Sequence, residues 1–138
     1  MKLVLFISVL MISLSTFASN VPGELYYTLP NGELVNRSVT LTVPARGQGE
    51  VTLSGEKFNW STTNFWSENI NGENIFYAVF QTSFMNFKST IAFKGTYLKG
   101  DNKIIYYGSM YKKKGHHEVN NDISDFKFSG GFNFNFDR

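Results

Sequence analysis

The segment KSTIAFKGTYLKGDNKIIYYGSMY, residues 88–111, decides the fold of this chain. Ile91, Phe93 and Tyr97 lie at odd positions and therefore share one face of an extended strand. Gly100-Asp101-Asn102 then supplies a polar turn, and the run that follows is again rich in β-branched and aromatic residues. Two such runs joined by a short polar turn predict an antiparallel β-hairpin.

Outside this hairpin the chain keeps a pattern of short alternating runs ended by turn residues. Val39, Leu41 and Val43 alternate with hydroxyl residues, and Pro30-Asn31-Gly32 is a reverse-turn signal. Residues 74–80 (NIFYAVF) are apolar at both parities, which is typical of a strand covered on both faces. No segment requires a helix. We predict an all-β fold, an antiparallel barrel or sandwich of about eight strands.

The N-terminus has the three parts of a secretory signal peptide. Lys2 is the positive start, residues 3–14 (LVLFISVLMISL) are the apolar part, and Thr16 and Ala18 are small residues at −3 and −1 of a cleavage site. The apolar part is too short for a transmembrane helix, which needs about 20 apolar residues. We therefore predict cleavage after Ala18.

Removal of this signal peptide, residues 1–18, leaves residues 19–138, which we predict to form a single all-β domain that is periplasmic or secreted. The domain keeps 12 of the 13 Lys and Arg against 11 Asp and Glu, and it has no Cys. A dedicated nucleic-acid binder needs a larger excess of cations, and without Cys there is no disulfide, thiolate metal site or thiol nucleophile. The domain also keeps 12 of the 14 Phe, all 7 Tyr and both Trp, which favours strands around an aromatic core.

A candidate ligand site lies in the segment KFNWSTTNFW, residues 57–66. Trp60, Phe65 and Trp66 stand there among Asn, Ser and Thr residues. Aromatic rings beside amides suit a glycan, and aromatic rings in a barrel mouth suit an apolar small molecule. The alternative is that these three side chains belong to the core, where most Trp and Phe side chains are found.

A second candidate is the cationic run Lys112-Lys113-Lys114, which follows the hairpin. It is a candidate contact for an anionic surface such as lipid or a polyanion. The alternative is an ordinary solubilising loop end, because lysines at exposed strands also protect against aggregation.

His116-His117-Glu118 contains the residue types of a metal site, but neighbouring strand residues point to opposite faces and the chain has no other His. We predict no metal site and no cofactor. The chain has no G-x-S-x-G nucleophile motif and no pair of carboxylates in contrasting environments. We therefore assign no catalytic residue.

The sequence leaves three classes of function open. The first is a non-catalytic binding or scaffolding protein of the periplasm or exterior, with an apolar small molecule or a glycan as partner. The second is a small outer-membrane β-barrel, because GFNFNF at residues 131–136 alternates as a lipid-facing strand would. The third is an enzyme, which no convergent acid, base or nucleophile set supports.

Overall fold

The computed structural model describes residues 19–44, 49–120 and 122–137, so the signal peptide predicted for residues 1–18 lies outside the described residues. The described part contains nine strands and no helix. No helix with the length and apolar character needed to cross a membrane is found in it. The strands are β1 (Ser19–Thr28), β2 (Leu34–Val43), β3 (Val51–Ser54), β4 (Asn59–Thr62), β5 (Phe65–Ile70), β6 (Glu73–Phe84), β7 (Phe87–Lys99), β8 (Lys103–Lys114) and β9 (Lys127–Asp137).

All nine strands form one antiparallel sheet in which β1 pairs with β9 and each of the other pairs is consecutive in the chain. β4 and β5 are the two ends of the strand order, and only residues 63–64 separate them. The seam is bridged by hydrogen bonds: the Val79 amide donates to the Asn64 carbonyl (2.9 Å), and Thr62 Oγ1 donates to the Val79 carbonyl (2.6 Å). The sheet is therefore a nearly closed barrel, and the predicted all-β antiparallel fold is confirmed.

The barrel interior is filled by aromatic side chains. The Phe93 ring packs edge-on against Phe80 (5.5 Å between ring centroids) and Phe132 (5.1 Å), and Phe76 lies 6.1 Å from Phe132. Edge-to-face packing of this kind stabilises aromatic pairs by more than the burial of their apolar surface alone. Only a void of about 30 Å³ remains among these rings and their neighbours.

A second apolar cluster lies on the outside of the sheet. Trp66, Tyr77 and Val79 are buried there beneath Val119 and Phe126 of the β8–β9 connection. Phe76 and Phe80 of β6 face inward while Tyr77 and Val79 face this outer cluster. The prediction that residues 74–80 are covered on both faces is confirmed.

The β7–β8 hairpin contains a close approach of two strands. Gly95 and Gly108 lie directly opposite each other in the ladder. A Cβ atom on Gly108 would collide with the Lys94 carbonyl oxygen and the Gly95 Cα, so this position admits only glycine without a backbone shift. The hairpin predicted from residues 88–111 is confirmed, with its turn at residues 100–102.

Candidate functional site

One end of the barrel is open and holds a cavity of about 480 Å³. The connections β1–β2, β3–β4, β6–β7 and β8–β9 lie at this end, because all the pairs are antiparallel and β5 runs on from β4 in the same direction. The walls combine apolar rings, hydroxyl groups and two cations. The lining residues are Leu25, Tyr27, Arg37, Phe58, Trp60, Thr82, Phe87, Ser89, Ile91, Met110, Lys112 and Ser129.

The apolar wall of the cavity is built around Trp60. Its ring packs against Phe58 at 4.4 Å and lies 6.2 Å from Phe80, which belongs to the filled interior below. Phe58 and Trp60 are both half-buried, so part of each ring remains available to a ligand. A half-buried indole on an apolar wall can stack on an aliphatic or flat molecule.

Two cations reach this apolar cavity. Arg37 has the same parity on β2 as the buried Val39, and Lys112 has the same parity on β8 as the buried Met110. Alternation along the strands therefore turns both side chains to the interior face at the open end. Among the described residues that line the cavity, Arg37 and Lys112 are the charged ones, and no carboxylate is present.

A β-bulge in β9 shapes the rim of the cavity. Met110 pairs with Gly130 and Tyr111 pairs with Phe128, so Ser129 is an extra residue in the ladder. The bulge places Ser129 in the cavity wall and leaves Phe128 exposed outside, where its ring packs edge-on against Tyr111 at 6.1 Å. Re-aiming a side chain in this way is a common role of bulges at barrel rims.

A lysine-lined groove adjoins the cavity and shares Phe87, Ser89, Lys112 and Ser129 with it. Its volume is about 690 Å³, and the charged side chains known to line it are all lysines. The residues that line only the groove are Asn86, Lys88, Lys114, Gly115, Lys127 and Phe128. The groove therefore concentrates positive charge on the side of the open end formed by the β6–β7 turn and the start of β9.

The structure places the three predicted ligand-site aromatics in three different environments. Trp60 lines the cavity, and Phe65 is buried in the barrel interior. Trp66 faces outward and stacks on Tyr77 at 4.9 Å with an angle of 11° between the rings. They do not converge because β4 ends at Thr62 and residues 65 and 66 then alternate across the sheet.

Other cavity residues were not singled out from the sequence. Tyr27 and Phe58 have the alternating pattern of ordinary core residues. Arg37 is a charged lining residue, and its parity with Val39 and Leu41 is the signal that would have placed it inside the barrel.

The lysines of the cationic run are divided between two faces. Lys112 and Lys114 line the groove, whereas Lys113 points to the outer face, forms an ion pair with Asp125 and lies 5.9 Å from the Phe126 ring. The hydrogen bond from Lys113 holds the pKa of Asp125 below its ordinary value. Two of the three lysines therefore belong to the open end.

Residues 115–120 and 122–126, here called the outer strap, cover Trp66 and Tyr77. Asn64 Nδ2 donates to the Val119 carbonyl (3.2 Å), and Gln81 Nε2 donates to the His117 carbonyl (3.2 Å). These bonds hold the strap against β6 and the start of β5, over the outer cluster.

The two histidines of the strap have separate structural contacts. His116 Nε2 donates to the Thr82 carbonyl (2.9 Å), and His117 Nε2 donates to the Lys114 carbonyl (2.6 Å). Neither lines the cavity or the groove. Within residues 19–44, 49–120 and 122–137, no three metal-ligating side chains come together.

Comparison with known proteins gives no family assignment. No family model matches the chain, and neither the curated proteins nor the solved structures contain a significant match.

Proposed function

We propose that this protein is an exported, non-catalytic binding protein that takes a small amphipathic molecule with an anionic head group and an apolar body. One observation carries the proposal: the open end holds a cavity of about 480 Å³ with apolar and aromatic walls, and its charged lining residues are Arg37 and Lys112. Small-molecule sites are concave, mainly apolar and about 300–1,000 Å³ in volume, with a few polar groups that fix orientation.

The two kinds of wall divide the work of binding. Arg37 and Lys112 bind the anionic group through charge-assisted hydrogen bonds. The apolar body packs against Trp60, Ile91 and Met110. It ends above Phe80, because the interior beyond that ring is filled.

The placement of the phenylalanines of β9 supports this function over the outer-membrane alternative. Phe132, Phe134 and Phe136 are buried in the interior, while Asn133 lies on the outer face and its Nδ2 donates to the Tyr26 hydroxyl (2.9 Å). A barrel that spans a membrane needs apolar side chains outside. Asn135 Nδ2 in turn contacts Asn133 Oδ1 (3.4 Å), so this outer face suits water.

The two tryptophans allow a direct fluorescence test. Trp66→Phe leaves Trp60 at the cavity as the one tryptophan, and Trp60→Phe leaves Trp66 on the outer face. Titration with dodecanoate should change the emission of the Trp66→Phe protein at micromolar concentration and leave that of the Trp60→Phe protein unchanged. Dodecanol, which lacks the charge, should bind more weakly. No response at Trp60 to dodecanoate, or an equal response to a panel of neutral glycans, would contradict the proposal.

Export is the second part of the proposal, and the predicted signal peptide supports it. Mass spectrometry of the protein recovered from the periplasm or the medium should give a mature chain beginning at Ser19. Recovery of the chain from the cytoplasm with its first residues intact would contradict export.

A further inference from the structure

The open end carries apolar side chains that point into solvent. Met85 is 84% exposed, Phe87 70% and Phe128 69%, and Leu34 is also exposed at the β1–β2 connection of the same end. Phe87 and Phe128 stand on the same groove. Single exposed apolar residues are common, but a group at one end of a small domain marks a surface of interaction.

Met85 has an unfavourable backbone conformation for its residue type. It has φ of 55° in the β6–β7 turn, in the left-handed region where Gly and Asn are favoured. The β5–β6 turn at the other end uses Asn71 (φ 53°) and Gly72 (φ 82°) for the same purpose. Backbone geometry therefore does not explain a methionine at position 85, and its exposed side chain is left as the reason.

Positive charge lies beside two of these apolar side chains, Phe87 and Phe128. Lys88, Lys112, Lys114 and Lys127 line the groove between the β6–β7 turn and the start of β9, and none of the described groove residues is acidic. Lys113, which faces away, is the member of the run that is paired with a carboxylate. The surface is thus complementary to a sheet of negative charge.

We propose that this rim docks on an anionic phospholipid bilayer. Met85 and Phe128 would enter the region between head groups and acyl chains, and the lysines would contact the phosphates around them. A soluble polyanion would pair with the lysines but leave the apolar tips in water, so the combination favours a bilayer. Docking in this orientation turns the mouth of the cavity towards the membrane.

Two variants test the two components without touching the cavity. Met85→Asn/Phe128→Ser removes apolar tips that do not line the cavity, and Lys88→Gln/Lys127→Gln removes two groove charges that also lie outside it. The matched controls at the opposite end are Ile70→Ser/Leu98→Ser and Lys99→Gln/Lys103→Gln, whose side chains are exposed.

The measurement is co-sedimentation with vesicles of phosphatidylcholine, with and without about one third phosphatidylglycerol. The wild type should bind the anionic vesicles and lose binding as salt rises towards about 0.5 M. The lysine variant should bind roughly fivefold more weakly for each charge removed, and the tip variant at least about tenfold more weakly. The far-end controls should match the wild type.

Three results would overturn the inference. They are equal binding to neutral and anionic vesicles, wild-type binding by both rim variants, and equal loss in the far-end controls. Loss in the lysine variant alone would show that the apolar side chains do not enter the bilayer and would also overturn it.

This inference can fail independently of the proposed function. Dodecanoate titration of Trp60 emission should be unchanged in Met85→Asn/Phe128→Ser, because neither residue lines the cavity. Vesicle binding without a response at Trp60 would retain the docking surface and reject the ligand.

Discussion

The closed and open halves of the barrel are built from the same strands but from inward side chains of different size. Towards the closed half, β6, β7 and β9 contribute Phe76, Phe93 and Phe132, and a void of about 30 Å³ remains. At the open end the same three strands contribute Thr82, Ser89 and Ser129, and about 480 Å³ remains. The cavity therefore comes from small hydroxyl side chains at the positions where large rings would otherwise stand, while β6 and β7 continue unchanged and β9 forms its bulge at Ser129. Stability is expected to depend on the closed half and binding on the open end.

The largest expected effect is loss of a ring in the closed half. Phe93→Ala removes a buried side chain that contacts Phe80 and Phe132, and the free energy of unfolding should fall by about 3–5 kcal/mol. Phe58→Ala at the open end should cost less than half as much, because one side of that ring already borders the cavity. Urea unfolding of both variants checks the contrast, and equal losses would contradict it.

A large side chain placed in the cavity should fill the open end and block ligand binding there. Ser89→Phe places a ring in the cavity on the same inward face as Phe93. Dodecanoate affinity should fall by at least about tenfold, because the new ring displaces part of the apolar body of the ligand and removes the apolar contacts made there. The free energy of unfolding should not decrease. Undiminished affinity in a folded Ser89→Phe protein would show that the ligand binds elsewhere.

The next largest effect on ligand affinity is expected from the two cations of the cavity, Arg37 and Lys112. Arg37→Gln and Lys112→Gln should each weaken dodecanoate binding by about tenfold, since each removes a hydrogen bond to a charged group from a partly exposed site. Lys99→Gln at the far end is the matched control and should bind as the wild type does. Calorimetric titration checks the order, and the affinity of dodecanol should not change in any of these variants.

A smaller effect on stability is expected from a substitution in the β6–β7 turn, with the β5–β6 turn as the comparison. Met85→Gly relieves the positive φ of the β6–β7 turn and should stabilise the fold by about 0.5–1 kcal/mol, whereas the β5–β6 turn already has Asn71 and Gly72. Thermal unfolding measures the shift. A destabilised Met85→Gly protein would mean that the Met85 side chain supports the turn.

The smallest expected effect is a loss of stability of the outer strap at acidic pH. The pKa of Asp125 is lowered chiefly by its hydrogen bond from Lys113, and that of Asp122 by the Ser124 backbone amide. A carboxylate whose pKa is lowered on folding stabilises the protein above its unfolded pKa, about 3.9. This contribution is lost as pH falls through the folded value. Below about pH 4 the strap should therefore lose a small part of its stability, which favours exposure of Trp66.

Emission of the Trp60→Phe protein reports this loosening, because Trp66 lies under the strap. It should shift to longer wavelength in acid before the Trp66→Phe protein responds, and Asp125→Asn should move the change to higher pH. Simultaneous shifts of both proteins would indicate global unfolding instead.

The local patterns of this sequence predict most of its strands but not the places where pairing changes. The strands of residues 74–80 and 88–111 can be predicted from the sequence, because the pattern of apolar residues and the turn residues are local properties. The break after Thr62 and the bulge at Ser129 depend on which strand lies alongside, so parity alone would put Phe128 inside with Phe132. The cavity could not be predicted for the same reason. Residue type marks Trp60 as a candidate, but only the pairing of the strands shows that Trp60 faces the interior while Trp66 faces outward.

The central claim is that the open end binds an anionic amphiphile, and the two indole N–H groups of the wild-type protein test it in one experiment. In a nitrogen–proton correlation spectrum, dodecanoate should shift the Trp60 indole peak in a saturable manner and leave the Trp66 peak in place, since Trp60 lines the cavity and Trp66 is buried on the outer face. A saturable shift of Trp66 with Trp60 unmoved, or no shift of either peak, would contradict the account.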